Sequence, residues 1–309
     1  MSTQGGAPPY QAPALKIDAL IPAEMAHQAS DVGVKKAGLD LLSTFALSVL
    51  AGAFIAVGAC FATTTGAGSM SLTDSITGGA LSGSIPYGIT RLLAGLSFSV
   101  GLILVIVAGA ELFTGNNLIV MAWASRRVST LRMLRNWTIV YVGNFVGAIG
   151  TVALVFIAGQ YRFAGGAVGA AALSTANTKA GYGFVEAFTL GILCNALVCL
   201  AVWLSYSAHS TTDRILAIVP PIAAFVAVGF EHSIANMYFI PMGILIRQYA
   251  PDAFWASIHH APADYPAVDW TGFVTNLVPV TLGNIVGGAV LVAGIYWLIY
   301  LRHDEPKVA

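Results

Sequence analysis

Long apolar stretches separated by short polar segments dominate the chain. Six windows are long enough to cross a bilayer as helices: about 39–62, 91–125, 136–160, 184–207, 215–248 and 271–301. A helix of about 20 residues covers the hydrocarbon core. The second and fifth windows exceed that length, and each contains a polar interruption: Gly109-Ala110-Glu111-Leu112-Phe113-Thr114 and Gly229-Phe230-Glu231-His232-Ser233. A carboxylate at that depth is costly in lipid and points to a solute or ion pathway. The pattern therefore predicts an all-α polytopic membrane protein with six transmembrane helices, spans two and five being broken.

The two halves of the pattern resemble each other. Phe45-x-Leu47-x-x-Leu50-Ala51-Gly52-Ala53 matches Phe188-x-Leu190-x-x-Leu193-Cys194-Asn195-Ala196, and Gly143-Asn144-Phe145-Val146-Gly147 matches Gly283-Asn284-Ile285-Val286-Gly287. The two Gly-x-Glu steps fall between them in the same order. Three spans per half force the second repeat to enter the membrane from the opposite side, which gives inverted topology and a midplane site between the repeats. The expected division is a tail with a short helix over 1–38, a channel domain over 39–302 (repeat one about 39–160, repeat two about 184–301) and a short tail over 303–309. Within the first segment, Ile21-Pro22 suits a helix start, so that an interfacial helix and a plain linker are both open. Met1 to Pro13 has no apolar run of the length a secretory signal needs and reads as a disordered tail.

Composition narrows the class. Hydrophobic residues make up 57% of the chain and charged residues 9%, with a mean hydropathy of +0.78, against about 25% charged residues in soluble domains. Formal net charge is zero, which gives no support to a nucleic-acid partner. Four arginines in the ten residues Arg126–Arg135 place that loop, and with it both termini, in the cytoplasm. Lys16, Lys35, Lys36, Arg302 and Lys307 agree. Cys60, Cys194 and Cys199 have no metal-ligand spacing and read as small core residues. His259-His260 with Asp264 reads as a solvated outer loop, and no metal, cofactor or nucleophile arrangement points to an enzyme.

A helix broken at the midplane leaves peptide groups that are tolerated only in protein or beside a wet cavity. Half-helix N-termini present N–H groups that suit a small anion. Thr114 adds a hydroxyl, while Asn116 and Asn117 are candidates to cap the following half-helix. His232, the one histidine inside an apolar span, stands beside Glu231, Ser233 and Asn236. Glu231 is expected to cap backbone N–H groups of the break, with proton relay as the other option.

The segments 109–116, 191–201 and 229–237 resemble the signatures of the formate/nitrite transporter family. Within it the chain looks most like the bacterial formate channels, through Trp203-Leu204-Ser205-Tyr206-Ser207, Ile240-Pro241-Met242-Gly243 and the closing 296–302. It differs at Gly115-Asn116-Asn117, where enterobacterial formate channels carry Ser-Thr-Val. The resemblance implies an aquaporin-like protomer in a homopentamer of a bacterial cytoplasmic membrane, each protomer with its own pore. It places Thr114 and His232 across the pore from each other, Asn195 and Asn236 nearby and Lys179 at the outer mouth. Phe98, Leu102, Leu112, Phe113, Val198 and Phe225 take the positions of apolar constriction residues. The paired Asn-Pro-Ala loops of water channels are absent.

The function expected is a pH-sensitive path for formate and similar small monovalent anions, proton-assisted through His232. A bare carboxylate loses more than its neutral acid on entering an apolar ring, and imidazole titrates near neutral pH. Direct anion conduction, a nitrite or hydrosulfide channel and an ion-coupled secondary transporter are the alternatives.

Overall fold

The computed structural model describes residues 18–67, 71–73, 80–82 and 86–303. The expectations for Met1 to Pro13, Lys16 and Lys307 lie outside the described residues, as does nearly all of the C-terminal tail. Among the described residues six helices have the length and apolarity to cross a membrane: α2 (Leu41–Gly66), α3 (Tyr87–Val107), α6 (Thr130–Ile157), α8 (Phe184–Tyr206), α9 (Thr211–Val228), and α12 (Trp270–Ile285) continued by a wide π-type segment (Val286–Gly294) into α13 (Ile295–Tyr300). The all-α architecture carries one short addition, a two-stranded antiparallel ribbon in the connector after α2, β1 (Ser71–Thr73) and β2 (Ala80–Ser82), with Ser71 opposite Ser82.

The second and fifth apolar windows do not continue as single helices. α3 stops at Val107 and α9 at Val228, and the next glycines, Gly109 (φ +81°) and Gly229 (φ +82°), take the left-handed conformation that side-chain-bearing residues avoid. The chain then runs extended through Leu112 and His232 before turning helical again. On the first arm this gives α4 (Phe113–Asn116), a 3₁₀ turn and α5 (Val120–Ala124), and on the second α10 (Ser233–Tyr249).

Close helix contacts hold the arms. A Cβ added at Gly147 would lie 2.0 Å from the Val49 carbonyl oxygen, and one at Gly287 would lie 2.1 Å from that of Ile192. Only glycine lets α6 approach α2, and the π-type segment approach α8, this closely. The N-terminal segment forms a helix, α1 (Pro22–Gly38), that buries Met25, Ala26, Ala29, Gly33 and Ala37. A Cβ on Gly33 would meet the Ala122 Cβ at 3.0 Å, so α1 lies directly against α5. In the second half α7 (Ala167–Ala180) precedes α8 as α1 precedes α2.

Candidate functional site

Each break is stitched in place by a single asparagine. On the first arm the Asn144 amide accepts from the Phe113 N–H (2.9 Å) and donates to the Ser48 and Glu111 carbonyls (2.8 and 2.9 Å). On the second, Asn284 accepts from the Ser233 N–H (2.9 Å) and donates to the Gly191 and Glu231 carbonyls (2.8 and 2.9 Å). Both asparagines belong to the repeated Gly-Asn-x-Val-Gly pattern. A buried peptide group left unpaired costs about 1–3 kcal/mol, which these side chains avoid.

Behind each break lies a matching Lys-Glu-Asn-Asn network. Lys36 Nζ donates to Glu111 (2.6 Å) and Asn116 Oδ1 (3.0 Å), while Asn116 donates to Glu111 (2.7 Å) and Asn136 (2.9 Å). Lys179 Nζ donates to Glu231 (2.5 Å), and Asn236 donates to Glu231 (2.7 Å) and Asn276 (2.7 Å). Two expectations are corrected here. Glu231 does not cap backbone N–H groups, because Asn284 takes that part and the carboxylate serves Lys179 and two side-chain amides. Asn116 and Asn117 do not cap the following half-helix either: Asn116 joins the Glu111 network, and Asn117 bonds Asn195 and the Phe113 carbonyl. The sequence marks Lys36 only as a topological cation and does not single out Asn136 or Asn276, because their partners are distant in the chain.

Two cavities, each of about 300 Å³, approach the breaks. One is lined by Lys36, Glu111, Leu102, Leu112 and Val202. The other is lined by Lys179, Arg91, His232, Phe98, Phe225 and Phe239. Positions equivalent in the two repeats face the two cavities: Gly109 and Gly229, Leu112 and His232, Ile119 and Phe239. Arg91, also unremarked in the sequence, directs its guanidinium to the Val226 and Ala227 carbonyls at the end of α9, where the helix dipole favours a cation.

Between the cavities Thr114 Oγ1 and His232 Nε2 stand 3.1 Å apart, both groups almost fully buried. His232 is also the N-cap of α10, its Nδ1 accepting the Ala235 N–H at 3.0 Å. A backbone N–H can only donate, so in the neutral ring the hydrogen sits on Nε2 and points to the Thr114 hydroxyl. That hydroxyl retains its own proton for another acceptor. The Phe98 and Phe225 rings pack edge-to-face beside the pair with centroids 5.5 Å apart, and the Phe225 and His232 rings stack at 5.9 Å.

The structure does not gather every expected residue at the path. Phe113, expected in the constriction, turns away: its ring packs edge-on against Trp137 and Tyr141 and lines a separate lateral groove between α6 and α12. Alternation along the extended chain explains this, since Leu112 faces the cavity and its neighbour faces the other side. Val198 is fully buried on α8, and Val202, one turn further on, is the residue that reaches a cavity. Asn195 and Asn236 direct their amino groups to protein acceptors. In the loop between α10 and α12 His260 pairs with Asp264 at 3.1 Å, both half exposed, and the Ala261 N–H holds the Asp264 carboxyl below its ordinary value.

Comparison with known proteins adds the following. The formate/nitrite transporter family model matches residues 23–298. The formate channel FocA of Escherichia coli (strain K12) is 46% identical over 289 residues, covering 93% of this chain and 97% of the relative. The formate channel FocA of Haemophilus influenzae is 42% identical over 275 residues, covering 89% and 92%. Among solved structures, a pentameric formate channel with formate bound superimposes with a TM-score of 0.76 at 43% identity, over 85% of this chain and 98% of the other. An ion channel of the same family gives 0.70 at 28% identity, over 89% and 98%.

Proposed function

The chain belongs to the formate/nitrite transporter family, and from that premise we propose that it is a membrane channel for formate and similar small monovalent anions rather than an enzyme. It assembles as a homopentamer in a bacterial cytoplasmic membrane, each protomer carrying its own path. The observation that carries the reading is the buried Thr114–His232 donor pair between two cavities that each contain a lysine. Lys179 and Arg91 draw the anion into one cavity. With His232 donating to it, the Thr114 hydroxyl offers its own hydrogen where Phe98, Leu102, Leu112 and Phe225 exclude water. Val198, Asn195, Asn236 and Glu231 support this path from behind. The arginines of 126–135 put that loop and both termini on the cytoplasmic side.

The anion crosses with help from a proton. Formate is ionised at neutral pH by analogy with model carboxyl groups, and crossing the apolar ring as the acid avoids much of the desolvation cost. His232 supplies the proton only from its doubly protonated form. A second proton enters at Nδ1, which holds the Ala235 N–H, so charging the ring releases the α10 cap. A second reading rests on that same bond: with Nδ1 occupied, the ring stays neutral and the anion passes as a charge.

The two readings separate in proteoliposomes. Formate flux is followed across an external pH series at clamped potential, with nitrite as competitor, in the native chain and His232→Asn. Electroneutral uptake whose acid-dependent part disappears in the variant supports proton assistance. Current that persists in the variant overturns it in favour of anion conduction, and uptake that requires a sodium gradient points to a coupled transporter.

A further inference from the structure

The two lysines behind the breaks use their hydrogens differently. Lys36 Nζ donates to Glu111 and to Asn116 Oδ1, at 2.6 and 3.0 Å, which leaves one of its three hydrogens. Among the described residues Lys179 Nζ donates to Glu231 alone, at 2.5 Å, which leaves two. The acceptor equivalent to Asn116 is nevertheless present. Asn236 follows Glu231 at the spacing at which Asn116 follows Glu111, and its Nδ2 makes the same bonds to the carboxylate and to the next asparagine. Those bonds fix which end of the amide is the oxygen, because a carboxylate can only accept. Yet Asn236 Oδ1 is buried with no partner among the described residues.

The backbones of both lysines are held alike, the Lys36 carbonyl by Asn136 Nδ2 at 3.1 Å and the Lys179 carbonyl by Asn276 Nδ2 at 2.7 Å. The difference lies one turn further along each arm. The register that matches Glu111 with Glu231 and Asn116 with Asn236 sets Ile119 against Phe239. Lys179 Nζ lies over the Phe239 ring, 5.2 Å from its centroid. Both side chains line the cavity that also holds His232 and Arg91. An aromatic face attracts an ammonium, whereas an aliphatic side chain such as Ile119 offers no such face and leaves Lys36 to its two oxygen acceptors.

We propose that Phe239 is a positioning residue: its ring draws the Lys179 ammonium away from Asn236 and toward the cavity, so that two hydrogens of the cation are free to hold a carboxylate there. Lys179 is then a direct ligand of the anion, whereas Lys36 keeps a single hydrogen for its own cavity. The inference rests on the reading of the chain as a channel for formate and similar anions, and it deepens that reading. Asn236 Oδ1 is the acceptor the lysine gives up. The ring and the arriving anion together replace that bond.

Phe239→Ile puts the first repeat's side chain into the second and is read in two ways. In the structure of the variant, Lys179 Nζ is expected to donate to Asn236 Oδ1, as Lys36 does to Asn116. In proteoliposomes the half-saturation for formate is expected to rise about fivefold, which is ~1 kcal/mol, while maximal flux stays within about twofold. Phe239→Tyr keeps the ring and should keep the native half-saturation. In a background neutralised by Lys179→Met and Glu231→Gln, Phe239→Ile should add nothing further, because the ring acts only through the lysine. If Phe239→Ile fails to assemble, Phe239→Leu gives the same reading. A lysine that stays off Asn236 in an assembled variant overturns the proposal, as does an unchanged half-saturation or an added effect in the neutralised background. A native chain that carries no formate overturns the channel reading instead, and the position of Lys179 in the variant still decides the role of Phe239.

Discussion

The two broken spans solve one structural problem twice and a chemical problem once. Each arm has the same left-handed glycine, the same asparagine strut and the same buried lysine–glutamate pair. They diverge at the residues that face the path or the space beside it. Leu112 stands where the second arm has His232, Phe113 where it has Ser233, and Thr114 where it has Ile234. Repetition serves burial, since any half-helix ending in the membrane exposes peptide groups that must be satisfied. Asymmetry serves the solute, since one hydroxyl and one imidazole reach each other only when each arm brings a different one.

The asymmetry reaches the networks. Asn116 Oδ1 accepts from Lys36, but Asn236 Oδ1 and the Ser233 hydroxyl are buried with no partner among the described residues. Lys179 sits instead over the Phe239 ring, 5.2 Å from its centroid.

The likeness of the two networks breaks most sharply when one carboxylate is neutralised. The Glu231 and Lys179 side chains are 1% and 14% exposed, against 7% and 25% for Glu111 and Lys36. Glu231→Gln strands the drier lysine and is expected to cost about 3–5 kcal/mol, with Glu111→Gln costing less. Thermal unfolding of the solubilised protein measures both, and equal losses would mean that water reaches the two sites alike. The struts come next: Asn144→Ala and Asn284→Ala each remove three hydrogen bonds at a buried break and should cost about 2–4 kcal/mol apiece. A large difference between them would show that one arm is held by other means.

Close packing gives a smaller and equally paired effect. Gly147→Ala and Gly287→Ala force a methyl group against a carbonyl oxygen in both repeats and should each cost about 1–3 kcal/mol, seen as matched falls in melting temperature. The smallest effect sharpens a difference at the helix starts. Asp40 caps α2 through the Ser43 N–H at 2.9 Å, while α8 begins at the uncapped Gly183. Gly183→Asp should stabilise by a few tenths of a kcal/mol. The Ser43 N–H holds the Asp40 carboxyl below its ordinary value. The cap is therefore fully effective above the unfolded value of about 3.9 and lost as pH falls through the folded one. Asp40→Asn should flatten the acid limb of the stability profile.

Much of the fold was legible in the sequence because membrane burial writes itself into composition. Apolar windows located the helices, and Gly109 and Gly229 marked where two of them end. The pairing of Thr114 with His232 also came from the sequence, through resemblance. The partners of the buried carboxylates did not, because Lys36 lies 75 residues from Glu111 and Lys179 lies 52 from Glu231. No local periodicity records such a pairing.

By itself the sequence determined the membrane class, the number of spans, the repeat and the residue types able to meet an anion, because each follows from local hydropathy or from a short motif. Only the tertiary structure decided that Phe113 turns away from the path, that Asn284 rather than Glu231 ties down the second break, and that Asn117 engages Asn195. Those outcomes depend on which side of an extended strand a residue occupies and on which of several acceptors lies nearest to a donor. Such choices are made by helices brought together from opposite halves of the chain.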